Sequence, residues 1–212
     1  MSRVVTFGEI MVRLAAPGFK RFQQAMPGSL DVTFAGAEAS IASTIAYLGV
    51  DAAFVTALPD HAIADASVAN LRSLGVDTRH IVRTQEGRLG IYFLETGANQ
   101  RPGNVFYDRE GSSIAITSPD AYDWNAIFKD AEWFIVSGIT PAISRNAADA
   151  TATALHEASK RGLKVAIDMN YRSKLWRWEP GVPARELATR TMRDLLAFAD
   201  LFVGGREDAQ AL

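Results

Sequence analysis

The sequence predicts an α/β fold built on a parallel sheet. Three glycines support this prediction, since Gly49, Gly75 and Gly162 each follow a helical stretch and precede a strand-like run. Glycine just past a helix end accepts the left-handed cap conformation, and the valines and isoleucines of the runs that follow suit a pleated strand. Regular alternation of helix and strand implies parallel strands.

Two dense apolar runs, Trp133–Ser137 and Lys164–Asp168, predict central strands that are covered on both faces. Between them, Ser144 is expected to cap a helix that ends near Lys160, because small residues recur there at spacings of three and four. These elements would form the core of the fold.

One segment breaks the alternation and predicts a β lid. The runs Arg88–Glu95 and Asn104–Asp108 are joined by a glycine- and proline-containing loop with no room for a crossover helix, which indicates an antiparallel hairpin. Strands near Met11–Ala15 and Leu30–Phe34 are expected to join it. We therefore treat residues 1–212 as one domain, with lid strands at about 10–15, 30–34, 88–95 and 104–109.

Composition excludes several classes of function. The 212 residues carry 22 basic and 24 acidic side chains and no cysteine, so disulfides, thiolate zinc sites and a broad nucleic-acid-binding field are not expected. The apolar stretch Val4–Leu14 is interrupted by Glu9 and Arg13, and no signal peptide or membrane span is predicted. We expect a soluble, cytoplasmic protein with no nucleic-acid or membrane partner.

Common catalytic motifs are also absent from the sequence. His61, His80 and His156 lie far apart and make no metal-ligand spacing. The chain has neither a Gly-x-Ser-x-Gly elbow nor a Gly-Lys-Ser/Thr phosphate loop. The basic and aromatic segment Arg172–Trp178 is interpreted as a packed loop, because no wider basic field surrounds it.

Three features remain as candidate binding elements. Gly36 lies at a strand-to-helix turn, where a missing side chain either admits a ligand to the backbone or allows tight packing. Tyr107 and Arg109 stand two residues apart on one strand and share a face, with Tyr92 on the neighbouring strand opposite them. They would form a hydrogen-bonding wall for a polar ligand, the alternative being a solvated face.

The third feature, Asp168–Arg172, follows a predicted central strand, at the edge where open parallel sheets bind ligands. An arginine at that edge can grip a carboxylate or phosphate through two hydrogen bonds. The alternative is that Asp168 and Arg172 form an ion pair that holds the loop.

Five segments, taken in order, resemble the ribokinase-like PfkB family of sugar kinases, and within it the 2-keto-3-deoxygluconate kinases. They are Val5–Leu14, Asp31–Ala39, Val105–Ser112, Gly138–Ala142 and Asp168–Arg172 with Leu175 and Trp176 after it. The resemblance implies a three-layer α/β/α sandwich with a small β-sheet lid, and transfer of phosphate from ATP, with Mg²⁺, to the terminal hydroxyl of 2-keto-3-deoxygluconate. It also implies dimer contacts through the lid.

Carried over residue by residue, the resemblance implies a sugar-acid site made by Gly36, Tyr92, Tyr107, Arg109 and Arg172. Asp208 matches the glutamate of the family's Asn-x-x-Glu element and would bind the cofactor. The chain departs from the family at Ser40, where an asparagine is usual, and at Gly205, which replaces the asparagine of Asn-x-x-Glu.

The chain stops at Leu212, before the family's Gly-Ala-Gly-Asp element, so the resemblance implies that the catalytic aspartate lies beyond Leu212. We therefore expect an incomplete kinase domain that is inactive as a 212-residue chain. Other hypotheses stay open: a fructokinase or ribokinase-like enzyme, or a sugar-binding protein without catalysis. A nicotinamide-dependent oxidoreductase is disfavoured, because no Gly-x-Gly-x-x-Gly follows the first strand.

Overall fold

Helices and strands alternate along most of the chain. The computed structural model describes residues 2–211, and for 209 and 211 the backbone alone. The strands are β1 (Arg3–Phe7), β2 (Met11–Ala15), β3 (Asp31–Ala35), β4 (Asp51–Val55), β5 (Ala57–Pro59), β6 (Val82–Thr84), β7 (Ile91–Glu95), β8 (Asn104–Asp108), β9 (Trp133–Ser137), β10 (Lys164–Asp168) and β11 (Leu201–Val203). The helices are α1 (Phe22–Ala25), α2 (Ala37–Tyr47), α3 (Ala62–Ser73), α4 (Ser113–Ile116), α5 (Trp124–Ile127), α6 (Ile139–Ile143), α7 (Arg145–Lys160), α8 (Ala184–Leu196) and α9 (Arg206–Ala211).

The core is a five-stranded sheet with the order β11-β10-β9-β1-β4, and all its neighbouring strands are parallel. The chain leaves β1 in one direction to form β4 and later continues on the other side of β1 with β9. Such a reversal of direction creates a crevice at the carboxyl ends of the strands, where ligands bind in open α/β sheets. The predicted α/β class is confirmed.

Both faces of this sheet are covered, which makes the core a three-layer sandwich. Alternate residues of β4 enter different apolar clusters: Ala53 and Val55 pack in one, and Ala52 and Phe54 in the other. The first cluster includes residues of α7 and α8, and the second includes residues of α2 and α3. Right-handed crossovers that leave β1 in opposite directions place their helices on opposite faces in this way.

The helix ends follow the chemistry that the sequence predicts. Gly49, Gly75 and Gly162 have φ values of 84°, 85° and 70°, the left-handed region that glycine occupies without a steric penalty. Helix α7 begins after Ser144, whose Oγ accepts a hydrogen bond from the N–H of Ala147 at 3.0 Å.

The lid is a four-stranded sheet with the order β3-β2-β7-β8. Strands β7 and β8 form the antiparallel hairpin, β2 lies parallel to β7, and β3 lies antiparallel to β2. The register aligns Arg13 with Thr33 and with Tyr92, and it aligns Tyr92 with Tyr107. Because side chains alternate between the two faces of a sheet, these four residues share one face of the lid.

The strand that follows Gly75, β6, lies outside the core sheet. Strand β6 pairs in parallel with β5 in a separate two-stranded sheet and does not enter the core sheet. In the part of the chain that the structure describes, no helix combines the length and apolarity needed to cross a bilayer.

Candidate functional site

A cavity of about 840 Å³ lies between the lid strand β8 and the loop that follows β10, with α8 and α9 at its side. Its aromatic and charged lining includes Tyr107, Arg109, Tyr171, Arg172, Lys174, Arg185 and Glu207. The cavity therefore joins two of the three features that the sequence singles out, the hairpin strand and the strand end.

The charge of this lining is strongly positive, with three arginines and one lysine against one glutamate. Arg172 and Lys174 are exposed to solvent and free to turn toward a ligand. Among the described residues, Asp168 and Arg172 form no direct ion pair, although burial raises the pKa of Asp168 and the charge of Arg172 opposes that rise. A cavity with this charge concentrates anionic ligands, and arginine holds carboxylates and phosphates through paired hydrogen bonds.

The lid contributes an aromatic wall. The rings of Tyr92 and Tyr107 lie 5.9 Å apart, and the guanidinium carbon of Arg109 lies 5.7 Å from the centre of the Tyr107 ring. Burial raises the pKa of Tyr92 above its ordinary value, although the nearby charge of Arg13 opposes the shift. The Tyr92 phenol therefore stays protonated near neutral pH, and both phenols carry an O–H group that can donate a hydrogen bond to a hydroxyl-rich ligand.

Arg109 is held by a carboxylate that sequence reasoning missed. It is 9% exposed and forms an ion pair with Glu9, which is 4% exposed and lies just after β1. Gly90 leaves room for this carboxylate, because a Cβ at position 90 would lie 2.8 Å from Glu9 Oε1. The available signal was an acidic residue at the carboxyl end of a buried strand, between two apolar runs.

Gly36 has a clear packing reason to be glycine. A Cβ at this position would lie 2.0 Å from the carbonyl oxygen of Glu9, so the β3–α2 turn could not approach the turn between β1 and β2. Gly36 is absent from the described lining of the cavity. Its neighbour Ser40 lies exposed on α2, where its N–H donates to the Gly36 carbonyl at 2.9 Å.

Asp208 ties the loop after β10 to the start of α9. Its Oδ1 accepts the N–H of Tyr171 at 3.0 Å, and its Oδ2 accepts the N–H of Gly205 at 2.9 Å. Burial raises the pKa of Asp168 above its ordinary value; a backbone hydrogen bond at Asn170 opposes that shift, and repulsion from Asp208 adds to it. The two carboxyl groups thus lie near each other at the carboxyl end of β10.

A second acidic residue that the sequence did not reveal, Glu38, is buried under the turn after β9. Its Oε1 accepts hydrogen bonds from the N–H and Oγ of Ser137, at 2.9 and 2.7 Å, and from Oγ1 of Thr140 at 2.8 Å. Burial raises the pKa of Glu38, while these hydrogen bonds oppose the shift. Glu38 thereby joins α2 to the carboxyl end of β9.

The described side chains provide no group of three or more histidine or acidic residues that could hold a metal ion. We assign no residue of this chain to Mg²⁺. His61 instead caps α3, with Nδ1 accepting the N–H of Ala64 at 3.1 Å. The loop Arg172–Trp178 is packed at its two tryptophans, since Trp176 is buried and Trp178 donates to the Pro141 carbonyl, whereas Arg172, Lys174 and Arg177 are exposed.

Comparison with known proteins gives a consistent result. The family model for pfkB family carbohydrate kinases matches residues 1–212. The 2-dehydro-3-deoxygalactonokinase of Haloferax volcanii is 38% identical over 175 residues, which are 82% of this chain and 54% of that protein. The 2-dehydro-3-deoxygluconokinase of Bacillus subtilis is 26% identical over 208 residues, which are 98% of this chain and 61% of that protein.

Among solved structures, the crystal structure of a 2-dehydro-3-deoxygluconokinase from Thermotoga maritima matches with a TM-score of 0.93 and 41% identity. The match covers 100% of this chain and 62% of that one. The chain therefore spans 54 to 62% of the lengths of these relatives.

Proposed function

Because the chain belongs to the pfkB family of carbohydrate kinases, we propose that it takes part in ATP-dependent phosphorylation of a sugar acid. The substrate is 2-keto-3-deoxygluconate, and the phosphate goes to its terminal hydroxyl. The observation that carries this proposal is the cavity beneath the lid, which combines four basic side chains with one acidic side chain. A carboxylate on the ligand complements that charge, whereas a neutral sugar does not.

Two arginines and two tyrosines are given tasks in this reaction. Arg109, just after the lid strand β8, and Arg172, in the loop after β10, both line the cavity and hold the carboxylate, which fixes the orientation of the sugar chain. Tyr107, whose ring lies 5.9 Å from that of Tyr92 at a tilted angle, donates to ligand oxygens and shields the ligand from water. Phosphoryl transfer depends mainly on positioning and charge neutralisation. We assign the catalytic base to no residue of this chain.

The names of the relatives support a sugar acid as substrate. The named sugar acids differ in stereochemistry, since one relative is a galactonokinase and two are gluconokinases. A substrate panel on the complete polypeptide expressed from its gene separates the options. ADP release is measured with 2-keto-3-deoxygluconate, 2-keto-3-deoxygalactonate, fructose and ribose. The proposal expects the highest kcat/KM with a sugar acid, and a neutral sugar preferred over both acids overturns it.

Arg172→Ala tests the role of the cavity itself. Loss of a charge-assisted hydrogen bond is expected to lower kcat/KM for the sugar acid by about 10- to 100-fold, with KM for ATP unchanged. The control is Arg193→Ala, an exposed arginine on α8 away from this cavity. If Arg172→Ala changes KM for ATP and leaves the sugar-acid kinetics intact, the cavity serves the nucleotide and the assignment is wrong.

Non-catalytic sugar binding is the remaining alternative for the 212-residue chain. It predicts that the chain binds the sugar acid in calorimetry yet releases no ADP in the presence of ATP and Mg²⁺. Nucleotide-dependent product formation by the chain itself excludes this alternative.

We also propose that two copies associate through the outer face of the lid. The register aligns Val32, Leu14, Phe93 and Phe106 in one row on the face opposite to the tyrosines. Val32 is 61% exposed and Phe106 is 52% exposed, so the two ends of this apolar row are open to solvent. Within the chain, Leu14 packs against the apolar cluster that includes residues of α2 and α3, and Phe22 lies against Phe93 and Phe106. The exposed ends of the row favour burial against a partner surface.

A further inference from the structure

Arg13 occupies the middle of the lid, on the face that carries the tyrosines. It lies on β2 between Thr33 of β3 and Tyr92 of β7, and Tyr92 is in turn aligned with Tyr107 of β8. Tyr107 and Arg109 stand two residues apart, share a face and both line the cavity. The face of the sheet that presents Arg13 is therefore the one that presents the cavity wall.

Arg13 is an arginine without a counter-charge. Within the described part of the chain it forms no ion pair and no hydrogen bond, and its Nε is buried with no partner. Three other arginines at the lid have a carboxylate partner: Arg109 pairs with Glu9, Arg88 with Asp108 and Arg21 with Glu95. Arg101, in the loop between β7 and β8, donates to the carbonyl oxygens of Phe19 and Thr96. Asp31, diagonally opposite on β3, makes no ion pair with Arg13 either.

An unpaired, partly buried guanidinium costs free energy, since burial removes water without supplying a hydrogen-bond acceptor. Thr33 and Tyr92, the two neighbours of Arg13 by register, are uncharged and do not balance its charge. An anionic acceptor from outside the chain would balance the charge of Arg13 and accept a hydrogen bond from its buried Nε–H. Because Arg13 lies in the same row as the tyrosines, that acceptor would be the ligand bound in the cavity.

We propose that Arg13 is a specificity-determining residue, which contacts the bound sugar acid from the lid and, with Arg109, favours an anionic over a neutral sugar. This inference rests on the proposed function and names a contact that the sequence motifs did not indicate. It places guanidinium groups on two strands of the lid, β2 and the end of β8, on either side of the paired tyrosines.

Two substitutions test the contact. Arg13→Met keeps the apolar stem and removes the charge, and Arg13→Lys keeps the charge and removes the planar fork. We expect Arg13→Met to raise KM for the sugar acid by about tenfold or more, with kcat less affected, and to lower the acid-to-neutral preference by a similar factor. Arg13→Lys is expected to retain part of that preference.

The matched control is Arg88→Met, the same substitution at an exposed lid arginine whose partner Asp108 lies on the other face of β8. Its KM for the sugar acid is expected to stay at the wild-type value. Calorimetry with the sugar acid alone provides a readout independent of turnover, and the dissociation constant should rise for Arg13→Met. Thermal unfolding of each variant separates a lost contact from lost folding.

The outcomes for Arg13 and for the proposed function are distinguishable. If the wild-type enzyme prefers sugar acids, and Arg13→Met and Arg13→Lys both keep KM and acid preference within about twofold, the Arg13 contact is wrong and the function stands. If the wild-type enzyme prefers neutral sugars, the proposed function fails and the inference fails with it. Should Arg13→Met not fold, Arg13→Lys alone decides by the same criterion.

Discussion

Glu9, just after the central strand β1, and Arg109, just after the lid strand β8, form an ion pair that is almost wholly buried. The pair links the core sheet to the lid at the edge of the cavity. It fixes the arginine that the proposed function places against the ligand carboxylate, and Gly90 supplies the space it needs.

Removing one partner of this pair should be costly. We expect Glu9→Ala to lower the free energy of unfolding by about 3–5 kcal/mol, because it leaves the buried guanidinium of Arg109 uncompensated. Urea denaturation followed by circular dichroism measures this change.

Removing both partners should cost much less. The double variant Glu9→Leu with Arg109→Met replaces the pair by apolar groups, an exchange that is often close to neutral for buried pairs. The interpretation is wrong if Glu9→Ala costs less than about 1 kcal/mol, or if the double variant is as unstable as the single one.

Glu38 should make stability depend on pH in the unusual direction for an acidic residue. Its pKa is raised in the folded state, so the folded protein binds more protons than the unfolded chain. By linkage, its contribution is fully present below the unfolded pKa, near 4.5, and is lost as the pH rises through the raised folded value. Glu38→Gln should remove this part of the pH dependence.

The measurement is urea unfolding of wild type and Glu38→Gln at several pH values above 4.5. We expect the difference between the two to shift in favour of the variant as the pH rises. Glu38→Ala serves as the comparison. It removes the acceptor of the Ser137 and Thr140 hydrogen bonds at every pH, and each unpaired donor is expected to lower the free energy of unfolding by about 1–3 kcal/mol. A pH-independent difference for Glu38→Gln would contradict the assignment.

Gly36→Ala should destabilise the turn between β3 and α2. The new methyl group would lie 2.0 Å from the Glu9 carbonyl oxygen, so the backbone of one turn must move. We expect a loss of about 1–3 kcal/mol or more in unfolding free energy, measured by thermal unfolding. The control is Gly205→Ala, where the nearest atom, Asp208 Oδ2, lies 3.4 Å away and no comparable loss is expected.

The association through the lid predicts a change of oligomeric state. Phe106→Glu introduces a charge into the apolar row and should shift the protein from dimer to monomer in sedimentation equilibrium. Tyr47→Glu is the control, because Tyr47 is 86% exposed on α2, outside the lid. A wild-type protein that stays monomeric at all concentrations, or a Phe106→Glu variant that stays dimeric, excludes this interface.

Much of the fold follows from local chemistry and was predictable from the sequence. The left-handed glycines, the Ser144 cap and the buried runs at β9 and β10 depend on residues close together in the chain. The resemblance to the PfkB kinases supplied the layer order, and the family match supports it. The hairpin was visible because its connecting loop is too short for a helix.

The features that the sequence did not reveal depend on contacts between distant segments. No local pattern indicates that Glu9 pairs with Arg109, or that Glu38 accepts hydrogen bonds from Ser137 and Thr140. A buried acid looks like an exposed one in a sequence, since only the fold decides its solvent exposure. The same limit applies to β6, whose apolar run gave no sign that it pairs with β5 outside the core sheet.

The two faces of the lid sheet have different roles, which restricts insertions and deletions within its strands. Neighbouring residues of each strand serve different faces, so Tyr107 borders the cavity while Phe106 belongs to the outer apolar row. An insertion or deletion of one residue within β8 would exchange the two rows, placing phenols on the proposed association face and rings without hydroxyls on the face toward the cavity. Changes of length are tolerable in the loop between β7 and β8, whereas inside the strands they would disrupt recognition and assembly together.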